Sequence, residues 1–326
     1  MKIDDLKPSD NFEDRRGQGG GGGFGLPGGG GGRINIPMGG GRGGFSIKTI
    51  IFLVIIYFVL KMLGIDLLQV LNGGGGLQIP GGTSTEITYP DGTTTGSGGD
   101  TQIGNNGGTK DVTGDAGSLF VRRVLTSTEQ VWGDYFKRQG KTYTPPRLVV
   151  FKGGIQSACG MAQSAMGPFY CPGDQKVYID LSFYQDMRDK LGAPGDFAQG
   201  YVIAHEVGHH IQNLLGIAEK VQEARARATE AQSNELSVRM ELQADCFAGI
   251  WGQHIDEAKR LEPGDLDEAL NAASQIGDDR LQKKSQGYVV PESFTHGTAA
   301  QRSSWFQKGF NAKSLEDCNT FSTDSL

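Results

Sequence analysis

The pattern that most constrains this chain is H-E-x-x-H, formed by His205, Glu206 and His209 within the apolar stretch YVIAHEVGHHIQN. Two residues four positions apart on a helix differ by about 40° around its axis, so both imidazoles can reach one metal ion. Glu206 lies about 100° round from His205, where its carboxylate can touch a water molecule on the metal. The stretch therefore predicts a helix with two metal ligands and a general base. The alternative is a chance pair of core or surface histidines.

A catalytic zinc site needs three protein ligands and one open position. A third histidine six residues after His209 is missing, because position 215 is a leucine. The helix NELSVRMELQADCFAGIW instead offers Glu235 and Glu241, which lie about 240° apart and cannot both face the metal. Glu241 is the predicted third ligand for one Zn²⁺ per chain, since Asp245 lies on the same face and can accept a hydrogen bond from a ligand imidazole.

Other nearby side chains are predicted to have structural roles. Cys246 and His254 lie about 140° and 220° round the helix from Glu241, so both point away from the metal. His210 lies about 100° from His209 and is predicted to pack or to hydrogen bond beside the site. The alternative for Glu241 is a solvated carboxylate, but its apolar neighbours would make burial costly without a cation.

The C-terminal stretch PESFTHGTAAQRSSWFQKGF places His296 before a predicted helix that Thr298 can cap. A histidine on such a loop can donate a hydrogen bond to the oxyanion of a tetrahedral intermediate. The alternative is a packed or capping histidine. Arg302, taken alone, is an ordinary basic side chain.

The first third of the chain is predicted not to fold. Residues 17–44 contain 17 glycines in 28 positions, and ordering so many glycines costs more than their sparse apolar neighbours can offset. Residues 1–44 are therefore predicted to be a flexible tail, and residues 72–114, rich in Gly, Thr and Ser, a flexible linker. No nucleic-acid partner is expected, because no aromatic residues alternate with the sparse arginines.

Residues 45–71 are predicted to anchor the chain in a lipid bilayer. Positions 45–65 give 21 residues, about 31 Å of helix, which matches a hydrocarbon core of about 30 Å. The alternatives are a signal-peptide core or an interfacial helix. Six Lys and Arg residues precede this segment and Lys48 lies near its start, whereas after Lys61 none occurs before Lys110. The bias predicts an inner-membrane protein with its N-terminus in the cytoplasm and residues 115–326 outside it.

All four cysteines belong to the exported part of this scheme. An even count in an oxidising compartment favours disulfides, and three pairings exist in principle. We expect Cys159 to pair with Cys171, across a Gly-Pro turn, and Cys246 with Cys318. The alternative is four reduced thiols.

Residues 115–326 are long enough for one substantial core. A helix is predicted from about residue 115 to 139, a strand at 147–153, and a hairpin from residues 169–171 and 176–181. The later sequence is mostly helical. Strands followed by helices predict an α+β fold, mostly helical with a small N-terminal sheet.

Three motifs, HEVGHHIQ, ELQADCFAGIW and SFTHGTAAQRSSWF, behind a Gly-rich segment and an apolar one, resemble the bacterial putative neutral zinc metallopeptidase family. They are also similar to membrane gluzincin peptidases of the CAAX-processing and HtpX type, where the third motif reads THP and not THG. The resemblance implies a minimal zincin fold with His205, His209 and Glu241 as ligands, Glu206 as base and His296 as transition-state stabiliser. It also implies that Arg302 supports the site and that the strand Val177 to Asp180 is the edge that pairs with an extended peptide.

These features together predict a membrane-anchored zinc endopeptidase that acts on peptide or protein substrates. The competing hypothesis is an envelope scaffold in which zinc is structural. That hypothesis requires a fourth protein ligand, for which the sequence offers no well-placed candidate.

Overall fold

The computed structural model describes residues 1–18, 115–323 and 326. A four-stranded sheet in the order β1, β2, β6, β5 forms one side of the domain, with β5 antiparallel to β6 and the other neighbours parallel. Strands β3 and β4 form a separate hairpin. The strands are β1 (Phe12–Asp14), β2 (Arg147–Phe151), β3 (Gly154–Ser157), β4 (Gly160–Gln163), β5 (Phe169–Cys171) and β6 (Lys176–Asp180).

Helices make up most of the described chain, which confirms the predicted α+β class. The first helix begins where Asp115 accepts a hydrogen bond from the backbone N–H of Ser118 at 2.8 Å. The helices are α1 (Ala116–Arg138), α2 (Ser182–Asp186), α3 (Asp196–Leu214), α4 (Ile217–Arg225), α5 (Glu230–Glu257), α6 (Asp265–Gln275), α7 (Asp278–Gln286) and α8 (Ala299–Phe310).

The long helix α5 is the centre of the core. Its Trp251 is fully buried, stacks on Phe197 of α3 with ring centroids 5.0 Å apart, and donates a hydrogen bond to Ser127 of α1 at 2.8 Å. Helix α8 packs very closely on α5 at Gly309, where a Cβ would lie 1.9 Å from the carbonyl oxygen of Cys246. Any larger residue at this position would force the two helices apart.

The sheet corrects one expectation. The segment Val177 to Asp180 is not an edge, because it belongs to β6, which lies between β2 and β5. The edge on that side of the sheet is β5. The hairpin of β5 and β6 had been predicted from sequence, but strand order depends on the position of β2, which is distant in the chain.

The predicted flexible tail at 1–44 is wrong for its first 18 residues. Met1, Ile3 and Leu6 are buried in the main core, and β1 pairs in parallel with β2, with Phe12 opposite Leu148. No local sequence pattern predicts this pairing, because the partner strand lies more than 130 residues away. Positions 19–114, which include the rest of the tail, the predicted anchor at 45–71 and the linker, lie outside the described residues.

This packing constrains the topology. Since β1 and β2 share one sheet, residues 1–18 and 115–323 must lie on the same side of any bilayer. This pairing disagrees with the predicted arrangement, in which one crossing by residues 45–71 leaves the N-terminus in the cytoplasm and the domain outside it. The crossing itself lies outside the described residues and stays a prediction. Among the described helices, none is both long enough and apolar enough to cross a membrane.

Two disulfides join the pairs that were predicted. Cys159 bonds to Cys171, which ties the β3–β4 hairpin to β5, and Cys246 of α5 bonds to Cys318 near the C-terminus. The second bridge closes a loop of 72 residues and fixes the C-terminal segment on α5. No cysteine is free.

Glu13 of β1 should stabilise the fold in a pH-dependent way. Its carboxylate lies 2.9 Å from Lys176, 3.2 Å from Arg147 and 3.0 Å from Arg15. Burial alone would raise the pKa of Glu13, but these cations outweigh it and lower the pKa to about 2. The contribution is fully present above the ordinary glutamate pKa of about 4.5 and is lost as the pH falls toward about 2.

We therefore expect Glu13→Gln to lower the free energy of unfolding at pH 7 by at most about 3 kcal/mol. Denaturant unfolding of both proteins between pH 7 and pH 3 measures this. The difference should shrink below about pH 4.5; a difference that stays constant with pH would show that Glu13 does not act through its charge.

Candidate metal centre

Helices α3 and α5 approach closely where the candidate metal ligands meet. Gly208 of α3 lies against α5, and a Cβ at this position would come within 3.0 Å of the carbonyl oxygen of Ala244. Gly208, the residue before the second histidine of the H-E-x-x-H motif, thus lets the face of α3 that carries the histidines contact the face of α5 that carries Glu241.

The structure brings together the three predicted ligands. Nε2 of His205 lies 3.1 Å from one carboxylate oxygen of Glu241, and Nε2 of His209 lies 3.4 Å from the other. The three ligand atoms all lie within 4.8 Å of one another. Two imidazole nitrogens and one carboxylate form a donor set that suits zinc, and three protein ligands leave a coordination position for water.

These side chains form a largely buried ion-pair cluster. Burial would lower the pKa of His205, but Asp245 and Glu241 outweigh it and raise this pKa above the usual value. Burial would raise the pKa of Glu241, but His209 and His205 hold it well below its usual range. A divalent cation at this position would replace protons on the two imidazoles and keep the carboxylate charge balanced.

Asp245 orients the first histidine. Its carboxylate lies 2.8 Å from Nδ1 of His205, accepts a hydrogen bond from Tyr201 at 2.6 Å, and receives two from Arg302 at 2.8 and 2.9 Å. Because an ionised carboxylate only accepts, Nδ1 of His205 carries the proton and Nε2 keeps its lone pair for a metal. Both predicted supporting residues, Asp245 and Arg302, are therefore part of this buried cluster, and Tyr201 is a member that the sequence did not indicate.

Glu206 faces the same open cleft as the ligands. The cleft has a volume of about 570 Å³ and is lined by Glu206, the three ligands, His296 and Arg302, with residues 165–170 on its other wall. That wall includes Phe169 and Tyr170 of the edge strand β5. The cleft therefore joins the metal ligands, a free carboxylate and a sheet edge.

His296 is held by an aspartate that the sequence did not indicate. Asp278, the first residue of α7, lies 3.1 Å from Nδ1 of His296 and accepts hydrogen bonds from the backbone N–H groups of Thr295, His296 and Gly297. The hydrogen bond with Asp278 raises the pKa of His296, against the lowering effect of burial. The imidazole is thus oriented by its Nδ1 side, and its side chain remains half exposed to the cleft.

The same loop explains why Gly297 replaces the proline of similar motifs. Gly297 has a φ of 91°, a value that the proline ring excludes, and its N–H donates to Asp278. This loop is therefore built on a glycine turn around one carboxylate.

His210 forms hydrogen bonds beside the candidate ligands, one of the two roles predicted for it. Its Nδ1 lies 3.0 Å from the hydroxyl of Tyr170 and its Nε2 lies 2.7 Å from the carbonyl of Thr144. Asn213 also donates to the Tyr170 hydroxyl, at 3.1 Å. These bonds fix the edge strand β5 to the helix that carries the metal ligands.

Comparison with known proteins gives consistent results. A family model described as "Putative neutral zinc metallopeptidase" matches residues 1–321. The chain is 48% identical over 321 residues to the uncharacterized protein YpfJ of Escherichia coli K12, covering 98% of this chain and 99% of that protein. It is 39% identical over 225 residues to the uncharacterized protein Rv2575 of Mycobacterium tuberculosis, covering 66% and 75%. No solved structure matches the chain.

The choice between the two glutamates of α5 can be tested by metal content. We expect the parent protein to bind one zinc ion per chain and Glu241→Ala to lose that binding, because two imidazoles alone leave the site without its anionic ligand. Glu235→Ala is the matched control, since Glu235 is on the same helix, exposed, and paired only with Arg239 in a surface contact of 2.8 Å. Equal zinc affinity in Glu241→Ala and the parent would exclude Glu241 as a ligand.

Proposed function

Because the chain belongs to the putative neutral zinc metallopeptidase family, we propose that it is a zinc-dependent endopeptidase that uses the cleft around Glu206. The observation that carries this proposal is the shared cleft. The His205, His209 and Glu241 donor set, the Glu206 carboxylate and the His296 imidazole all line it, next to a free sheet edge. A purely structural zinc site would be closed by a fourth protein ligand, and the cluster of candidate ligands has three members.

The proposed catalytic role of each group follows from its position in the cleft. A zinc ion held by His205, His209 and Glu241 would supply a Lewis acid able to polarise a carbonyl and to lower the pKa of water to about 7. Glu206 would act as the general base toward a water molecule and as the general acid toward the leaving amine. His296, oriented by Asp278, donates a hydrogen bond to the developing oxyanion.

The substrate is proposed to bind as an added strand. Among the described residues, β5 is the edge of the sheet on this side and Phe169 and Tyr170 line the cleft, so backbone N–H and C=O groups of β5 could pair with an extended peptide. The tie between Tyr170 and His210 sets the distance between this edge and the metal ligands. In the proposed mode, β5 takes the role that sequence reasoning had given to Val177 to Asp180.

We further propose that residues 1–18 and 115–323 both lie outside the cytoplasm. The two disulfides support this, because such bonds persist in oxidising compartments. Attachment to a bilayer through residues 45–65 remains a prediction from their apolar sequence alone.

Replacing the general base should abolish hydrolysis and spare the metal. We expect Glu206→Gln to reduce peptide cleavage by about 10²- to 10⁴-fold, since the amide has the same shape but cannot take a proton. Cleavage of an unbiased peptide library, with zinc content measured in parallel, tests this. A Glu206→Gln protein that cleaves as fast as the parent would refute the assignment, and a zinc-loaded parent that cleaves nothing at any pH would favour the scaffold hypothesis.

Substitutions in the loop that carries His296 should change the rate of peptide cleavage and leave zinc affinity unchanged. We expect His296→Ala to lower kcat by about 10²- to 10³-fold, and Asp278→Asn to lower it less, because the amide can still accept but has no charge. Zinc affinity should not change. Asp279→Asn is the matched control, since Asp279 accepts a hydrogen bond from the N–H of Ala299 at 2.7 Å and not from the His296 loop. If Asp278→Asn and Asp279→Asn reduce kcat equally, Asp278 acts only by stabilising the loop.

A further inference from the structure

The two histidine ligands are oriented by different chemistry. His205 has the buried carboxylate of Asp245 at its Nδ1, whereas Nδ1 of His209 lies 2.9 Å from the side-chain oxygen of Gln212. Gln212 follows His209 by three residues on α3, and its side chain is completely buried. A buried side chain in direct contact with the nitrogen opposite Nε2 controls how that ring can turn.

The orientation of the Gln212 amide follows from its partners. Its nitrogen lies 2.7 Å from the backbone carbonyl of Met240 and 3.1 Å from the side-chain oxygen of Gln243. A carbonyl oxygen can only accept, so the amide nitrogen must face Met240 and the amide oxygen must face His209. Nδ1 of His209 is therefore the donor in this contact, and Nε2 keeps its lone pair on the side of Glu241.

Gln243 is fixed in the same way from the other end. It is almost fully buried on α5, and its amide nitrogen donates to the carbonyl of Cys318 at 3.1 Å. Its oxygen must then face Gln212. Cys318 is held on α5 by the disulfide to Cys246, so an unbroken series of hydrogen bonds connects the C-terminal segment with the second ligand histidine.

We propose that Gln212 and Gln243 are positioning residues that fix the tautomer and ring orientation of His209, with the Cys246–Cys318 disulfide holding the far end of the series. The inference rests on the proposed function only in that His209 binds the metal. The neutral amide of Gln212 orients the His209 ring without burying another charge. At His205 the orienting group is the charged carboxylate of Asp245, whose burial is compensated by the ion pair with Arg302.

Zinc affinity of the full chain tests the proposal without reference to peptide cleavage. We expect Gln212→Met, which keeps the length of the side chain but loses its hydrogen bonds, to bind zinc about 10- to 100-fold more weakly than the parent. The visible spectrum of the Co²⁺-loaded protein should change as well, because the geometry at His209 is altered. Competition with a chelator of known affinity measures the first effect.

Rescue separates positioning from general destabilisation. Gln212→Glu keeps an oxygen for Nδ1 of His209 but loses both N–H donors, so it should lose stability and yet recover most of the zinc affinity missing in Gln212→Met. Ser127→Ala is the matched control, since it removes a buried hydrogen bond to Trp251 remote from the metal ligands. It should lower the free energy of unfolding and leave the zinc affinity and the Co²⁺ spectrum unchanged.

Gln243→Met tests the same series of hydrogen bonds at Gln243, the residue next to Gln212. It provides an independent test if Gln212→Met does not fold. We expect a smaller loss of zinc affinity in the same direction, because His209 keeps its direct contact while Gln212 loses one partner. Parent affinity and an unaltered Co²⁺ spectrum in either variant would overturn the role of that glutamine. A parent protein that binds zinc but cleaves no peptide would count against the proposed function and not against this inference.

Discussion

The buried contact between Asp245 and Arg302 is the interaction on which the rest of the site depends. It joins α5 to α8, and the same carboxylate holds Tyr201 and His205 of α3. Breaking such a pair by removing one partner leaves an uncompensated buried charge, at a cost of about 3–5 kcal/mol. One ion pair therefore links three helices and helps to orient His205, the first proposed metal ligand, so a change in this pair affects both the candidate site and the core.

The cleft is assembled from elements that are fixed from several sides. Strand β5 is tied to α3 through Tyr170 and His210, and the β3–β4 hairpin is tied to β5 by Cys159–Cys171. Opposite them, the loop of His296 is folded around Asp278. In the proposed mechanism, rigid supports of this kind would keep the reacting groups in place before substrate binds, which is the condition for electrostatic stabilisation of a transition state.

The N-terminal strand gives the domain its least expected constraint. Burial of Met1, Ile3 and Leu6 and the pairing of β1 with β2 make residues 1–18 part of the same folded unit as the cleft. The positive-inside bias had separated these regions by a membrane, because it considers only charges that flank an apolar segment. The pairing of β1 with β2 requires direct contact between residues 1–18 and the rest of the domain. It is therefore stronger evidence about their relative position than the statistical distribution of Lys and Arg around an apolar segment.

Features that depend on local periodicity could be predicted from the amino-acid sequence. The four-residue spacing on a helix predicted that His205 and His209, and likewise Glu241 and Asp245, share one helix face. The even number of cysteines, with a turn between two of them, led to the two disulfide pairs that the structure contains. The folded chain was needed to show which strand is the edge, that residues 1–18 join the sheet, that Asp278 holds the histidine loop, and that buried amides contact His209. Each of these depends on contacts between elements far apart in the chain, for which neither helical nor strand periodicity carries a signal.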